Sequence, residues 1–198
     1  TAAYNGLEDG DDVLKIGGSL RFFGDGYQVS KNFMGRRLWR IPVMEGEFLV
    51  DEVFKIKKSV AGGNFLVLGR DLISALKGAE KAVEAIKQVE GAITPFPGGI
   101  VRSGSKVGSK YRFLTASSNT YFCPSLRGIV LGTKIPEGVN SVQEIVINGL
   151  SVEAVKEAMR VGIKAAVSVE GVVKISAGNY GGKLGQYNLY LKEILGSG

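Results

Sequence analysis

Glu144 is the one acidic side chain in an otherwise apolar run, VQEIVINGL, at residues 142–150. In an extended strand Val142, Glu144 and Val146 share one face, and the opposite face is also largely apolar. The run therefore predicts a buried carboxyl. Burial raises the pKa of a carboxyl toward neutrality, which suits a general acid or base. The alternative is a glutamate at the exposed end of the strand, or one paired with a lysine.

A second candidate is the loop at residues 98–110, GGIVRSGSKVGSK. Glycines let backbone N–H groups approach an anion, and cationic and hydroxyl side chains neutralise and bind it. The spacing fits neither a Walker motif nor a dinucleotide fingerprint. A flexible solvated loop explains the composition equally well. The candidate binding residues here are Arg102, Ser103, Ser105, Lys106 and Lys110.

The segment at residues 176–185, SAGNYGGKLG, has a similar character. Its Asn179, Tyr180 and Lys183 stand among glycines and could line a cleft, although a hairpin turn explains them without a ligand. A shorter counterpart, AGGNF, occurs at residues 61–65.

Composition limits the chemistry. The chain has 198 residues, of which 44% are hydrophobic and 22% charged, as in a globular protein. It has no histidine and one cysteine, Cys123, which excludes histidine-based triads, a disulfide framework and multi-cysteine zinc sites. The net charge of +6 suits anionic small molecules as well as nucleic acid. We find no apolar run of the roughly 20 residues that a membrane helix needs, and expect a cytoplasmic protein.

Two strand–helix units supply the scaffold. Amphipathic helices are predicted at residues 71–91 and 151–171, each preceded by an apolar strand and ending in Val-Glu-Gly, and the units are offset by 80 residues. The resulting β-α-β-β-α-β order predicts an α+β fold, the ferredoxin-like plait, whose antiparallel sheet carries both helices on one face. Further strands are predicted at residues 19–23, 92–101, 111–114 and 186–191.

Several long motifs resemble the formylmethanofuran–tetrahydromethanopterin formyltransferase family. The resemblance runs from about residue 19 to residue 187. The motifs are FFGDGYQ (22–28), AGGNF (61–65), PFPGGIVRSGSKVGSKY (95–111), EIVINGL (144–150), EAVKEAMRVGI (153–163) and GVVKISAGNYGGKLGQY (171–187).

The resemblance implies transfer of a formyl group from formylmethanofuran to N5 of tetrahydromethanopterin in one-carbon metabolism and methanogenesis. It implies no metal or prosthetic group, a homodimer or homotetramer with the active cleft near a subunit interface, and Glu144 as the acid/base. Both coenzymes carry carboxylates and the pterin a phosphate, so Arg102, Lys106, Lys110 and Lys183 are expected clamps. The chain corresponds to the C-terminal portion of the family, with residues 1–45 as remnant or linker of an N-terminal lobe and 46–198 as the C-terminal lobe.

Two alternatives stay open. One is a subunit of the bacterial formyltransferase/hydrolase complex. The other is a basic plait domain that binds RNA on its sheet, which the sequence disfavours because it lacks the aromatic run typical of such domains. We therefore expect neither a nucleic acid nor a membrane as partner.

Overall fold

The structure is a computed structural model that describes residues 1–178 and 185–196. The chain forms two compact units, Thr1–Lys58 and Ser59–Gly198, which we call unit 1 and unit 2. Strands and helices are combined in both, so the predicted α+β class is confirmed.

Unit 1 is built from short antiparallel strands around a small core. The main sheet has the order β1-β5-β4-β3, and β2 pairs with β6. Trp39, Ile41 and Val50 form the buried centre of this unit. Its strands and helices are β1 Ala2–Ala3, β2 Asp12–Leu14, α1 Ile16–Leu20, a 3-10 helix at Arg21–Gly24, β3 Val29–Phe33, β4 Arg36–Val43, β5 Gly46–Asp51 and β6 Phe54–Ile56.

The strand predicted at residues 19–23 is wrong, because α1 and the 3-10 helix occupy that stretch. A short apolar run does not distinguish a strand from a helix by its periodicity. Here the decisive contact is tertiary. Gly17 packs directly against the backbone of Asp51, where any side chain would collide with the carbonyl group.

Unit 2 holds a four-stranded antiparallel sheet with the order β12-β7-β11-β8, and a hairpin formed by β9 and β10. Its strands and helices are β7 Val60–Gly69, α2 Leu72–Ile86, β8 Ala92–Ile93, β9 Lys106–Val107, β10 Ala116–Ser117, β11 Ser141–Gly149, α3 Val152–Val167, β12 Val172–Ser176 and α4 Leu191–Gly196. Short 3-10 helices lie at Pro97–Gly99, Thr120–Phe122 and Pro124–Leu126.

The two long helices begin in the same way. The Asp71 carboxylate accepts from the Ser74 N–H at 2.7 Å, and the Ser151 hydroxyl accepts from the Ala154 N–H at 3.1 Å. Each bond satisfies a backbone donor that has no partner within the helix. Gly91 and Gly171 follow the helices at φ of +75° and +89°, a region that favours glycine. The spacing of 80 residues predicted from the sequence thus recurs in the structure.

Both helices pack on one face of the sheet of unit 2. Phe65 and Val67 of β7 and Ile145 and Ile147 of β11 point into the same fully buried cluster as the apolar sides of α2 and α3. All four apolar positions predicted for α3 are buried, namely Val155, Met159, Ile163 and Ala166.

The opposite face of the sheet is covered by the connection between β10 and β11. Leu66 and Leu68 of β7 pack there against Ile135 and Val139, which lie outside any strand or helix. Glu144 is the register partner of Leu66 and therefore belongs to this second face. The sheet thus separates the packing of the helices from the surroundings of Glu144.

Three predicted strands are largely wrong. Of residues 92–101 only Ala92–Ile93 form a strand, because Pro95 and Pro97 interrupt the ladder. Residues 111–114 form turns between β9 and β10, and residues 186–191 lead into α4 without a strand. In each case a few β-favouring residues lack a neighbouring strand to pair with.

Candidate active site

Glu144 is buried at the centre of the sheet, as its place in an apolar run predicted. Its side chain is 3% exposed, and β11 is hydrogen-bonded along both edges near this residue. On one side Glu144 pairs with Leu66 of β7. On the other, the Val101 N–H donates to the Glu144 carbonyl at 2.7 Å. The backbone that carries this carboxyl is therefore held on both sides.

Each carboxylate oxygen of Glu144 accepts one neutral donor. The backbone N–H of Ser105 donates to Oε2 at 3.1 Å, and Nδ2 of Asn64 donates to Oε1 at 3.3 Å. Within the part of unit 2 that the structure describes, Glu144 forms no ion pair. This contradicts the alternative of a lysine partner among those residues.

Burial raises the pKa of Glu144, and the hydrogen bond from the Ser105 N–H opposes part of that rise. Desolvation penalises the charged form, whereas a donor to the carboxylate favours it. A carboxyl whose pKa is moved toward neutrality can both accept and return a proton during one reaction. The arrangement is thus suited to general acid–base chemistry.

The loop predicted to bind anions delivers the Ser105 amide to Glu144. Val101 pairs with Glu144, and the chain then turns at Gly104, whose N–H donates to the Val101 carbonyl at 3.2 Å. Gly104 has a φ of +59°, and a β-carbon added there would lie 3.7 Å from Oε2 of Glu144. The glycine permits the turn and leaves the space beside the carboxylate open.

The predicted binding residues of this loop do not all face Glu144. Arg102, Ser103 and Lys110 are exposed. Lys106 donates through Nζ to Oγ of Ser117 at 2.8 Å and so ties β9 to β10. Of the five, Ser105 is the residue shown to contact Glu144, and it does so through its backbone. Asn179, Tyr180 and Lys183 lie outside the described residues.

Asn64 is a site residue that the sequence reasoning missed. It extends from β7 on the same face as Leu66 and stands 80 positions before Glu144, the spacing of the two strand–helix units. That offset was the available signal, because equivalent strands of the two units pair at the centre of the sheet. The AGGNF segment was noticed only as a short counterpart of a glycine-rich loop.

Two absences concern the described residues alone. In residues 1–178 and 185–196 no group of three or more His, Cys, Asp or Glu side chains could hold a metal ion. In the same ranges no helix has the length and apolar character needed to cross a membrane.

Comparison with family models divides the chain into two adjacent matches. The model described as "FTR, proximal lobe" matches residues 46–194, and the model "Formylmethanofuran-tetrahydromethanopterin formyltransferase" matches residues 1–43. The two matches therefore meet close to the predicted domain boundary at residue 45. The strand pairing, by contrast, keeps Gly46–Asp51 in unit 1.

Individual relatives give the same result. The chain is 54% identical to formylmethanofuran–tetrahydromethanopterin formyltransferases of Methanothermobacter thermautotrophicus and of Archaeoglobus fulgidus, in each case over 98% of its own length and 66% of theirs. It thus spans about two thirds of the length of these relatives.

Solved structures also match. The formylmethanofuran:tetrahydromethanopterin formyltransferase of Methanosarcina barkeri matches with a TM-score of 0.80 and 51% identity over 98% of this chain and 65% of that one. A chain of the formyltransferase/hydrolase complex of Methylorubrum extorquens, solved with methylofuran, matches with a TM-score of 0.75 and 46% identity over 94% of this chain and 63% of that one. Because the proximal-lobe model alone accounts for 149 residues (46–194) of the 198, the chain belongs to the formylmethanofuran–tetrahydromethanopterin formyltransferase family.

Proposed function

We propose that the chain carries the acid/base centre of a formyltransferase that moves a formyl group from formylmethanofuran to N5 of tetrahydromethanopterin. The observation that carries the proposal is the buried Glu144 carboxyl, held by two neutral donors, in a chain of this family. No metal or prosthetic group takes part, and the two coenzymes are the substrates.

In the proposed reaction the pterin nitrogen attacks the formyl carbon and a tetrahedral intermediate forms. Glu144 accepts the proton that the attacking nitrogen loses. When the bond between the formyl carbon and the methanofuran nitrogen breaks, Glu144 returns that proton to the departing nitrogen. The carboxyl ends as it began, as one group serving as base and then as acid.

The remaining predicted residues are proposed to bind the coenzymes. Arg102 and Lys110 are exposed cations on the loop that contacts Glu144, which suits the carboxylates and phosphate of the substrates. The hydroxyls of Ser103 and Ser105 are proposed donors to the oxyanion of the intermediate. Lys106 is a weaker candidate, since its Nζ already donates to Ser117. Asn179, Tyr180 and Lys183 stay predictions.

For unit 2 we propose the ferredoxin-like plait. The strand order β12-β7-β11-β8, the antiparallel pairing and the two helices on one face support it. The same packing argues against RNA binding on the sheet, because Ile135 and Val139 cover part of the face that such domains leave open.

A cytoplasmic homodimer or homotetramer, with the cleft near a subunit interface, is proposed from the family resemblance. The second candidate is a subunit of a formyltransferase/hydrolase complex. The match to the Methylorubrum extorquens complex specifically favours that candidate. Mass spectrometry of the protein purified from its source under native conditions separates the two, because identical subunits support the first and additional different subunits the second.

The test of the proposed function is formyl transfer by the purified protein and by two Glu→Gln variants. Glu144→Gln removes the group that carries the proton, so kcat/KM is expected to fall by about 10²–10⁴-fold. Glu80→Gln is the matched control, because Glu80 is exposed on α2 and forms no ion pair among the described residues. Equal rates for the two variants would exclude Glu144 as the acid/base, and a wild-type protein without transfer activity would contradict the proposed function itself.

A further inference from the structure

Asn64 connects Glu144 to the segment that follows β12. Its Nδ2 donates to Oε1 of Glu144 at 3.3 Å, and its Oδ1 accepts from the backbone N–H of Gly178 at 3.0 Å. An amide has one donor end and one acceptor end, so the bond from Gly178 decides which end faces the carboxylate. The backbone of the segment after β12 thereby orients a donor toward Glu144.

The position of Asn64 follows from the repeat. Phe65 and Ile145 are directly opposed where β7 and β11 pair, and Asn64 and Glu144 each precede one of them by one residue. The same relation appears in the backbone: the Arg70 N–H donates to Gly171, and the Leu150 N–H donates to Gly91. Asn64 and Glu144 thus occupy equivalent places in the two halves, on the same face and within hydrogen-bond distance.

We propose that Asn64 is a positioning residue for Glu144, one that fixes the orientation of the carboxylate and couples it to the backbone at Gly178. The inference rests on the proposed role of Glu144 as acid/base. With Oε1 held by Asn64 and Oε2 held by Ser105, the carboxyl cannot rotate freely about its last bond. Its remaining lone pairs therefore keep fixed directions toward the reacting nitrogen, which is the geometric condition for efficient proton transfer.

A neutral donor suits this role better than a cation. A lysine or arginine at this place would stabilise the charged form and lower the pKa of Glu144. In the described part of the chain no charged side chain from β7, β11, β12 or the 98–110 loop acts on this carboxyl; burial and the Ser105 N–H are what shift its pKa. Asn64 holds the group without a charge that would prevent it from taking up a proton.

Asn64→Asp tests the contact with little change of shape. One oxygen of the new carboxylate still accepts from Gly178, but the other meets Oε1 of Glu144 without a hydrogen atom between them. Two carboxylates in contact share one proton, and the pKa for its release rises. We expect the acid limb of the pH profile of kcat/KM to move to higher pH and kcat at neutral pH to fall about tenfold.

Asn148→Asp is the matched control. It introduces the same charge on β11, where the Asn148 oxygen accepts from the Gly62 N–H, and it lies four residues, or about 13 Å, from Glu144. Its pH profile is expected to match that of the wild type. If Asn64→Asp does not fold, Asn64→Ala takes its place and should lower kcat while changing KM little, because it removes a positioning bond and not a substrate contact.

A titration without substrate separates this inference from the proposed function. The ¹³C resonance of the Glu144 carboxyl, assigned by its loss in Glu144→Gln, should titrate at higher pH in Asn64→Asp than in Asn148→Asp. If the wild type transfers no formyl group, the proposed function fails and the titration still decides whether Asn64 acts on Glu144. Identical titration curves for the two Asn→Asp variants would overturn the inference.

Discussion

Gly104 gives the sharpest test of whether the space beside Glu144 serves catalysis. Both Gly104 and Gly108 lie in the loop that reaches Glu144, and both have positive φ, +59° and +81°. Alanine in this region costs about 1–2 kcal/mol because its β-carbon approaches the following carbonyl group. In a protein of this length that cost corresponds to a loss of roughly 2–8 °C in Tm. Gly104→Ala and Gly108→Ala should therefore be destabilised to a similar extent.

The two variants differ in what the added methyl group meets. At position 104 it lies 3.7 Å from Oε2 of Glu144 and 3.9 Å from the β-carbon of Asn119, whereas at position 108 nothing lies within 4 Å. A separation of 3.7 Å is an ordinary contact, so the carboxylate need not move. The methyl group nevertheless displaces solvent or substrate beside Oε2 and raises the pKa of Glu144 further.

We expect kcat/KM of Gly104→Ala to be about tenfold below that of Gly108→Ala, a difference of about 1.4 kcal/mol in transition-state free energy. The acid limb of its pH profile should lie at higher pH, because more of the carboxyl is protonated. The measurements are thermal unfolding by circular dichroism and initial rates of formyl transfer across pH. Equal activity and equal pH profiles in two variants of equal Tm would refute the idea that the space at Gly104 serves the reaction.

Two further predictions concern stability. Ser151→Ala removes the side-chain cap that accepts from the Ala154 N–H at the start of α3, so it should cost about 1 kcal/mol and lower the Tm by about 2–4 °C, while the exposed substitution Ser168→Ala at the other end of α3 serves as a comparison. A Tm for Ser151→Ala that is not below that of Ser168→Ala would contradict the assigned cap. Because the pKa of Glu144 is raised on folding, the folded state binds a proton that the unfolded state has released, and stability falls as pH rises from the model value of 4.5 toward the raised pKa. The difference in unfolding free energy between Glu144→Gln and the wild type should therefore shift in favour of the variant across that window in urea titrations, and a difference that is constant with pH would show that burial does not shift this group.

The central part of unit 2 could be predicted from the sequence because local signals agree there. The caps at Asp71 and Ser151, the apolar stripe of α3 and the closing glycines at positions 91 and 171 all mark the same two helices. The burial of Glu144 followed from strand alternation alone. These features depend on residues close together in the chain, which periodicity and capping describe well.

The stretches that were mispredicted depend on contacts distant in sequence. Residues 111–114 have β-favouring side chains, yet the hairpin forms on either side of them, at Lys106–Val107 and Ala116–Ser117. Asn64 was missed because a glycine-rich AGGNF segment resembles a turn, whereas in the structure it continues β7 and pairs with β11. Its role becomes visible only when the two halves are placed side by side.

The repeat supplies the scaffold of the site, and its chemistry comes from the differences between the halves. Equivalent strands bring positions 64 and 144 together, and the chain beyond each second strand returns to the centre: the Ser105 N–H reaches Glu144, and the Gly178 N–H reaches Asn64. Two glutamates at these positions would share a proton and repel each other when both are charged, and two asparagines would leave no group that titrates near neutral pH. One amide beside one carboxylate gives a single titrating group with an oriented, uncharged partner. The difference between Asn64 and Glu144 is therefore what makes a symmetric sheet centre suitable for acid–base chemistry.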